Sequence, residues 1–295
     1  MNLTMDTRSL YIDLLKKTLI NEIYIENEVK LFYMVHCLVN RQQVQADCMI
    51  DPDLTPEDLN RRVELAKQNG GTVVLSRLNE HGELVPDHSL RNILEFPHSM
   101  IGRKRIENIQ YCIEHILADS IPGDFIETGV WRGGATIFMR GMLAAYGVKD
   151  RTVWVADSFE GVPPPTYPQD EGMHFEKAGL PVLAVSIDKV KRLFDRFNLL
   201  DDQVKFLKGW FKDTLPNAPI ERLSLLRLDG DLYESTMDAL NALYDKVSIG
   251  GYIIVDDYNA VKSCKVAVQE FRQTRKINDE LITIDDVSIF WRKTR

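Results

Sequence analysis

Short apolar runs and longer amphipathic stretches alternate along the chain from residue 124 onward. The short runs predict buried strands and the longer stretches predict helices, because the two structures differ in length and in period. The first predicted strand begins at Asp124, and the later strands cover residues 152–156, 203–207, 223–228, 252–255, 281–284 and 288–291. The predicted helices between them cover residues 135–146, 185–197, 235–246 and 261–274, with a turn at Gly250-Gly251 after the third.

This alternation predicts an α/β domain with a mostly parallel sheet and helices on both faces. The last two strands follow each other across a tight turn at Asp285-Asp286, so we expect an antiparallel pair at one edge. Ligands of such sheets bind beyond the carboxyl ends of the strands. Acids lie at or near several of these ends, namely Glu127, Asp157, Asp229, Asp256 and Asp257.

The chain before residue 98 is predicted to be mainly helical. Asp6 or Thr7 caps a first helix, residues 23–39 form an apolar stretch, and a further helix begins at Pro56. Residues 72–75 predict a short strand, and residues 79–87 are polar and rich in turn formers. Ser99 is the expected cap of a helix that runs to about residue 117. We therefore expect an N-terminal helical lid or insertion segment over residues 1–97 and a ligand-binding domain over 98–295.

Composition narrows the class of protein. The chain has 295 residues, 44% of them hydrophobic, with a formal net charge of -8. An acidic chain without a basic stripe disfavours a nucleic-acid partner. Neither a membrane-length apolar run nor a signal sequence is visible, and no C-x-x-C pair occurs among Cys37, Cys48, Cys112 and Cys264. We expect a cytoplasmic protein with reduced thiols and without a membrane partner.

The turn after the first predicted strand indicates a nucleotide-type ligand. Glycines at 129, 133 and 134 let a ligand approach the backbone, and the next helix points its amides at the same place. The pattern E-x-G-V-x-x-G-G differs from G-x-G-x-x-G, and Glu127, which we place in the turn, would repel a pyrophosphate. A nicotinamide oxidoreductase is therefore disfavoured. The cationic sulfonium and ammonium of S-adenosylmethionine suit an acid at this position.

The next strand ends supply further candidate contacts to that cofactor. Asp157 can accept hydrogen bonds from two ribose hydroxyls, although a turn-forming acid is the simpler alternative. The turn formed by Gly209, Trp210 and Phe211 can place an aromatic ring against adenine.

Asp229-Gly-Asp231 and Asp256-Asp257 end two strands that we expect to be neighbours. Carboxylates that converge in this way repel one another unless a cation or protons intervene. Mg²⁺ prefers oxygen ligands, so Asp229, Asp256 and Asp257 are candidate metal ligands. Asp231 is the candidate general base, with the alternative that Asp231 or Ser235 only caps the next helix. His98 is a second candidate for contact with the acceptor or for the base.

Six stretches resemble the macrocin-type sugar O-methyltransferase family, which depends on S-adenosylmethionine. They are L-Y-I-D-L-L-K-K-T (10–18), H-S-M-I-G-R (98–103), E-T-G-V-W-R-G-G (127–134), D-S-F-E-G (157–161), D-G-D-L-Y-E-S (229–235) and D-D-Y (256–258). The resemblance implies a class I methyltransferase fold, Rossmann-like and seven-stranded, with Mg²⁺ on Asp229, Asp256 and Asp257. It implies cofactor contacts from Met100, Glu127, Thr128, Gly129, Trp131, Gly133, Asp157, Ser158, Gly209, Trp210, Phe211 and Asp229.

The expected activity is methylation of a hydroxyl on the sugar of a natural product, a small glycoside acceptor. The N-terminal helix is expected to form a lid or a subunit contact in a homo-oligomer. Residues 25–88 are longer than the linker expected for the family, which indicates an insertion over the active site or at an interface. A catechol-type metal-dependent O-methyltransferase and a non-catalytic methyltransferase-fold subunit are the alternatives. The polar loop over residues 158–179 is a candidate flap.

Overall fold

A computed structural model describes residues 6–23, 34, 41, 43, 76–78, 84–86, 98–179 and 181–295. The chain divides into two compact units, one of Met1–Lys16 with His98–Arg295 and one of Lys17–Pro97. The predicted helix after Pro56 and the predicted strand over residues 72–75 lie outside the described residues, as does most of the stretch 23–39.

Two short strands are described in the unit Lys17–Pro97. Strand β1 (Ser76–Leu78) pairs antiparallel with β2 (Leu84–Pro86), and Arg77 lies opposite Val85. Strand β2 falls in a segment that we expected to be turn-rich throughout, so that prediction is wrong for residues 84–86.

Helix α1 (Thr7–Leu19) begins as predicted, because a carboxylate oxygen of Asp6 accepts a hydrogen bond from the Ser9 amide at 2.9 Å. Helix α2 (Gly102–Ala118) buries a face formed by Ile106, Ile109, Ile113 and Ile116. The prediction of Ser99 as its cap is wrong. Ile101 is the capping residue and makes no side-chain cap, and Ser99 Oγ accepts only from the Ile101 amide at 3.5 Å.

The main sheet has seven strands and confirms the predicted α/β class. Its strands are β3 (Asp124–Thr128), β4 (Val153–Asp157), β5 (Val204–Lys208), β6 (Leu223–Leu228), β7 (Val247–Val255), β8 (Ile282–Thr283) and β9 (Ile289–Arg292). Their order is β5-β4-β3-β6-β7-β9-β8. Strands β3 to β7 pair in parallel, and β9 pairs antiparallel with both β7 and β8.

The remaining helices lie between the strands in the chain. They are α3 (Gly134–Ala145), α4 (Ile187–Arg196), α5 (Phe211–Thr214), α6 (Tyr233–Leu243) and α7 (Lys262–Thr274). The predicted turn at Gly250-Gly251 is wrong, because both glycines lie inside β7. The Gly250 amide donates to the Lys293 carbonyl at 2.7 Å, and this pairing extends the strand.

The sheet changes direction of winding between β3 and β6, the point at which α/β sheets bind ligands. Thr128 pairs with Ala156 on one side and Leu228 on the other, and Leu228 pairs with Val255. The strand ends are therefore level, and the residues that follow them lie side by side at one edge of the sheet.

Two further observations concern the cysteines and the length of the helices. Cys112 and Cys264 are buried free thiols, as expected, and Cys37 and Cys48 lie outside the described residues. None of the described helices is both long enough and apolar enough to cross a membrane.

Candidate active site

A cavity of about 500 Å³ opens at the carboxyl ends of the parallel strands. It brings most of the predicted site residues to one place. Those that line it are Met100, Glu127, Gly129, Trp131, Asp157, Ser158, Gly209, Trp210, Phe211, Asp229, Asp231, Asp256 and Asp257. Residues from the start of the loop 158–179 also line it, among them Gly161, Val162 and Thr166.

Three residues singled out from the sequence do not line the cavity. Thr128 is only 1% exposed, and its hydroxyl points to the Arg227 carbonyl at 3.4 Å. Gly133 has φ +80°, and a Cβ there would lie 2.9 Å from the Val190 side chain, so this glycine serves the packing of α4. His98 packs edge-on against Phe197 at 5.3 Å, and burial lowers its pKa to about 4. This placement disfavours His98 as the base.

The glycine turn is held in place by its own neighbours. Gly129 has φ +91°, and a Cβ would lie 1.8 Å from the Asp229 carbonyl oxygen, so only glycine fits. The carboxylate of Asp157 accepts hydrogen bonds from the amides of Val130, at 2.8 Å, and Phe159, at 2.6 Å. Burial raises the pKa of Asp157 and these hydrogen bonds oppose that rise. The turn is therefore fixed by contacts within the protein.

Aromatic residues form two other walls of the cavity. The Trp131 indole nitrogen donates to the Val182 carbonyl at 3.0 Å, which ties the glycine turn to the segment before α4. Phe211 packs so close to Gly230 that a Cβ on this glycine would lie 3.1 Å from the ring. The cavity thus has a flat aromatic wall beside the residues that follow β6.

We predicted that Glu127 lies in the turn, and this prediction is wrong. Glu127 lies within β3, where it is 2% exposed. One carboxylate oxygen, Oε1, accepts a hydrogen bond from the Arg227 guanidinium. The other oxygen, Oε2, is buried without a hydrogen-bond partner. Burial raises the pKa of Glu127 to about 8, while Arg227 acts in the opposite direction.

Arg227 is a site residue that the sequence analysis missed. It is fully buried in β6, and its guanidinium group donates to Glu127, to Asp229 and to Asp256. These acids come from three neighbouring strand ends, so one buried cation connects them. A signal was present in the sequence, because an arginine in the apolar strand L-S-L-L-R-L requires a buried partner.

Arg105 and Asp285 were missed as well. The Arg105 guanidinium donates to Oδ2 of Asp256 at 2.7 Å and to Asp285 at 2.7 Å. Arg227 holds the other oxygen of Asp256. Both oxygens of this carboxylate are therefore fixed before any ligand binds.

We call Glu127, Asp229, Asp231, Asp256 and Asp257 the acid cluster. Oxygens of Asp229, Asp256 and Asp257 lie within 4.8 Å of one another. Oδ2 of Asp257 is buried and has no hydrogen-bond partner. Burial and the neighbouring acids raise the pKa of Asp257 well above its usual value. Arg227 pairs with Glu127, Asp229 and Asp256, and Arg105 pairs with Asp256, whereas the ion pairs of the described residues include neither Asp231 nor Asp257.

Asp231 occupies the turn between β6 and α6. Its backbone has φ +58°, a left-handed conformation that only a well-held non-glycine residue adopts. Burial, and then Asp229 and Asp256, raise the pKa of Asp231 to about 7. The alternative interpretation as a helix cap is wrong, because α6 is preceded by Leu232 and has no side-chain cap from that residue.

Comparison with known proteins identifies relatives over nearly the whole chain. The model of the macrocin O-methyltransferase family matches residues 8–293. A tetracenomycin sugar 4'-O-methyltransferase of Streptomyces olivaceus is 42% identical over an alignment that covers 99% of this chain and 95% of that protein.

Two other relatives match over 201 residues, or 67% of this chain. Demethyldecarbamoylnovobiocin O-methyltransferase of Streptomyces niveus is 57% identical, with 76% of its length covered. Mycinamicin III 3''-O-methyltransferase of Micromonospora griseorubida is 52% identical, with 79% covered. Among solved structures, the O-methyltransferase NovP is 43% identical with a TM-score of 0.73, covering 98% of this chain and all of that one.

Proposed function

The chain belongs to the macrocin O-methyltransferase family and is an O-methyltransferase, and we propose that it methylates a sugar hydroxyl on a natural product. The family implies S-adenosylmethionine as the methyl donor, and we propose Mg²⁺ as a bound cofactor. The sugar acceptor is supported by the relatives, which are named for novobiocin, mycinamicin and tetracenomycin-linked rhamnose substrates.

One observation carries the proposal. The glycine turn and the oxygens of Asp229, Asp256 and Asp257 line the same cavity, at the switch point of the sheet. A donor bound against the turn and an acceptor bound near the carboxylates would lie next to each other. Methyl transfer requires this adjacency, because alignment of the two reactants supplies much of the rate enhancement.

The acid cluster fits a hard divalent cation. It offers only oxygen ligands, it carries excess negative charge, and Oδ2 of Asp257 lacks a partner. Asp229 has one oxygen bound by Arg227 and a second that no described side chain holds as an ion-pair partner. Mg²⁺ on Asp229, Asp256 and Asp257 would lower the pKa of an acceptor hydroxyl and orient it.

The donor-side residues have roles that follow from their placement. Asp157 presents its carboxylate to the cavity and can accept from ribose hydroxyls, while its bonds to Val130 and Phe159 fix its position. Glu127 keeps one unpartnered oxygen for the donor ammonium. Trp210 and Phe211 provide the aromatic surface for adenine.

Asp231 is the proposed general base. A base works best when its pKa is close to the working pH, and the pKa of Asp231 is raised to about 7. Its carboxylate lines the cavity beside Asp229, so it can take the proton from an acceptor hydroxyl as the methyl group is transferred.

The test combines binding and turnover. Calorimetry with S-adenosylhomocysteine measures the donor site, and methyl transfer is assayed on mycinamicin III, demethyldecarbamoylnovobiocin and catechol. We expect transfer to a glycoside in the presence of Mg²⁺, and loss of transfer in EDTA that Mg²⁺ reverses. The donor analogue should still bind in EDTA.

Three outcomes would contradict parts of the proposal. Turnover that is the same with and without EDTA, after exhaustive chelation, would show that the reaction does not require the metal. Turnover of catechol in preference to every glycoside would show that the acceptor is an aromatic diol and not a sugar. Failure of S-adenosylhomocysteine to bind at millimolar concentration would contradict the proposed donor site.

A further inference from the structure

Helix α6 begins directly after the turn that carries Asp231, and its N-terminus is capped from elsewhere in the chain. Leu232, the residue before the helix, provides no side-chain cap. The amides of Tyr233 and Glu234 instead donate to the two carboxylate oxygens of Asp170, at 2.8 and 3.2 Å. Asp170 is fully buried, and both of its carboxylate oxygens bind this end of the helix.

Asp170 belongs to the loop 158–179, and the loop contacts the same helix at two further places. The Thr166 hydroxyl donates to Oε2 of Glu234 at 2.6 Å, and the ring of Tyr167 lies 5.6 Å from that of Tyr233. Beyond Asp170, Met173 and Phe175 pack against the hydrophobic core. The loop is therefore attached to α6 by Thr166, which lines the cavity, and by Tyr167 and Asp170, which follow it.

The first turn of α6 helps to fix the position of Asp231, which lies just before it in the chain. Asp231 has φ +58°, in the left-handed region that few residues other than glycine, Asn and Asp adopt, so its flanks help to hold it there. On one flank, the Asp229 amide donates to the Thr128 carbonyl at 2.9 Å. On the other flank, Leu232 is buried and leads into the capped turn. Loss of the cap would release that second flank.

We propose that Asp170 is a positioning residue for Asp231: by capping α6 from the loop, it couples the loop wall of the cavity to the orientation of the base. The proposal rests on the function assigned above to Asp231. It assigns no contact between Asp170 and a substrate. It predicts that the acceptor-side step depends on Asp170 while the donor side does not.

The test uses Asp170→Ala and Asp170→Asn in the full-length chain. Loss of a helix cap is worth about a factor of ten in an equilibrium constant, so we expect Asp170→Ala to lower kcat about tenfold. Asp170→Asn retains one acceptor oxygen in the same shape and should fall between Asp170→Ala and the wild type. The dissociation constant of S-adenosylhomocysteine should stay within about twofold in both variants, because Asp157 and the glycine turn are untouched.

Hydrogen exchange provides a readout that is independent of turnover. Amides of residues 159–167 and of residues 229–234 should both exchange faster in Asp170→Ala, since the two segments share this contact. Ser186→Ala is the matched control. Ser186 caps α4, its hydroxyl accepts from the Lys189 amide, and it does not line the cavity, so kcat should stay unchanged.

Several results would overturn the inference. Unchanged kcat in both Asp170 variants would do so, as would unchanged exchange at residues 229–231. An equal loss of donor affinity and kcat would assign Asp170 to the donor site instead. If the wild type itself bound no S-adenosylhomocysteine, the proposed function would fail, and the exchange measurement would still decide whether Asp170 connects the loop to the turn.

Discussion

The two sides of the cavity differ in how completely the protein satisfies its own polar groups. On the donor side, the carboxylate of Asp157 is held by backbone amides, and Gly129 fits against the Asp229 carbonyl without space for a Cβ. On the acceptor side, Oδ2 of Asp257 is buried without a partner, and the pKa values of Asp231 and Asp256 are raised to about 7 and about 6.

This difference indicates that the two sides reach their working state in different ways. On the donor side, the glycine turn and Asp157 are held by the protein once the chain folds, although Oε2 of Glu127 has no hydrogen-bond partner. We propose that a bound cation supplies further positive charge to the acid cluster, because the described ion pairs of Arg105 and Arg227 include neither Asp231 nor Asp257. Buried charges without partners lower stability, so a cation that binds there should raise both activity and stability. Each prediction below tests one side against the other.

The largest effect is expected for Asp257→Asn. One carboxylate oxygen of Asp257 is buried without a partner, and the amide retains the shape of the side chain without its charge. We expect a loss in kcat of roughly 10²- to 10³-fold and much weaker Mg²⁺ binding, because charge stabilisation at a reacting centre is of that size. Affinity for S-adenosylhomocysteine should hardly change.

The matched variant on the donor side is Asp157→Asn. It should weaken S-adenosylhomocysteine binding strongly and leave Mg²⁺ binding near the wild-type value. Calorimetry with each ligand on both variants gives a clear contrast. If the two substitutions weakened both ligands equally, the division of the cavity into two sides would be wrong.

The next effect concerns Arg227→Met, which removes the buried guanidinium at similar length. It leaves Glu127, Asp229 and Asp256 without their shared partner, and we expect a loss of about 3–5 kcal/mol in the free energy of unfolding. Added Mg²⁺ should recover more stability in this variant than in the wild type. Denaturant titrations with Mg²⁺ and with EDTA measure both quantities.

Arg275→Met is the control for this experiment. Arg275 pairs with Asp245 at the surface, where the two side chains are 40% and 71% exposed. Such pairs are worth about 0–1 kcal/mol, and no Mg²⁺ dependence is expected. A similar loss in both variants would show that Arg227 has no special role at the cavity.

The sequence predicted those parts of the fold that depend on residues close together in the chain. Strand ends and helix faces depend on near neighbours in the chain, and the strands of the main sheet were found within a few residues. The prediction of a turn at Gly250-Gly251 was wrong, because these glycines pair with Lys293, just after β9 and about 40 residues later. Local pattern carries no information about such a partner.

The candidate site shows the same limit. Asp229, Asp231, Asp256 and Asp257 were found because acids stand out at strand ends. Arg227 and Arg105 were missed, since a cation is recognised as functional only when its partners are known, and those are 29 and 151 residues away for Asp256. The placement of Thr128 outside the cavity likewise depends on strand packing.

A smaller effect is expected from pH in the absence of metal. Burial raises the pKa values of Glu127, Asp231 and Asp256 to about 8, 7 and 6, from ordinary values of 4.5 for Glu and 3.8 for Asp. A carboxyl group whose pKa is raised by folding binds more protons in the folded state. Its contribution is therefore present at low pH and is lost as pH rises through the folded value.

We therefore expect the Tm measured in EDTA to fall between about pH 5 and pH 8.5, and saturating Mg²⁺ to reduce this fall. Calorimetric scans at several pH values, with and without metal, provide the measurement. A Tm in EDTA that rises over this range would mean that the acid cluster is already compensated within the protein.

The smallest effect is expected for Thr128→Val, which tests the boundary of the donor side. Thr128 is part of the E-T-G turn sequence, yet it lies outside the cavity and its hydroxyl makes only a 3.4 Å contact with the Arg227 carbonyl. Valine has nearly the same volume, so affinity for S-adenosylhomocysteine should change by less than about twofold, since a bond this long contributes little. Ser158→Ala is the comparison, because Ser158 lines the cavity and its hydroxyl donates to the Gly161 carbonyl at 2.6 Å. A larger loss in Thr128→Val than in Ser158→Ala would place the donor deeper in the sheet than this cavity allows.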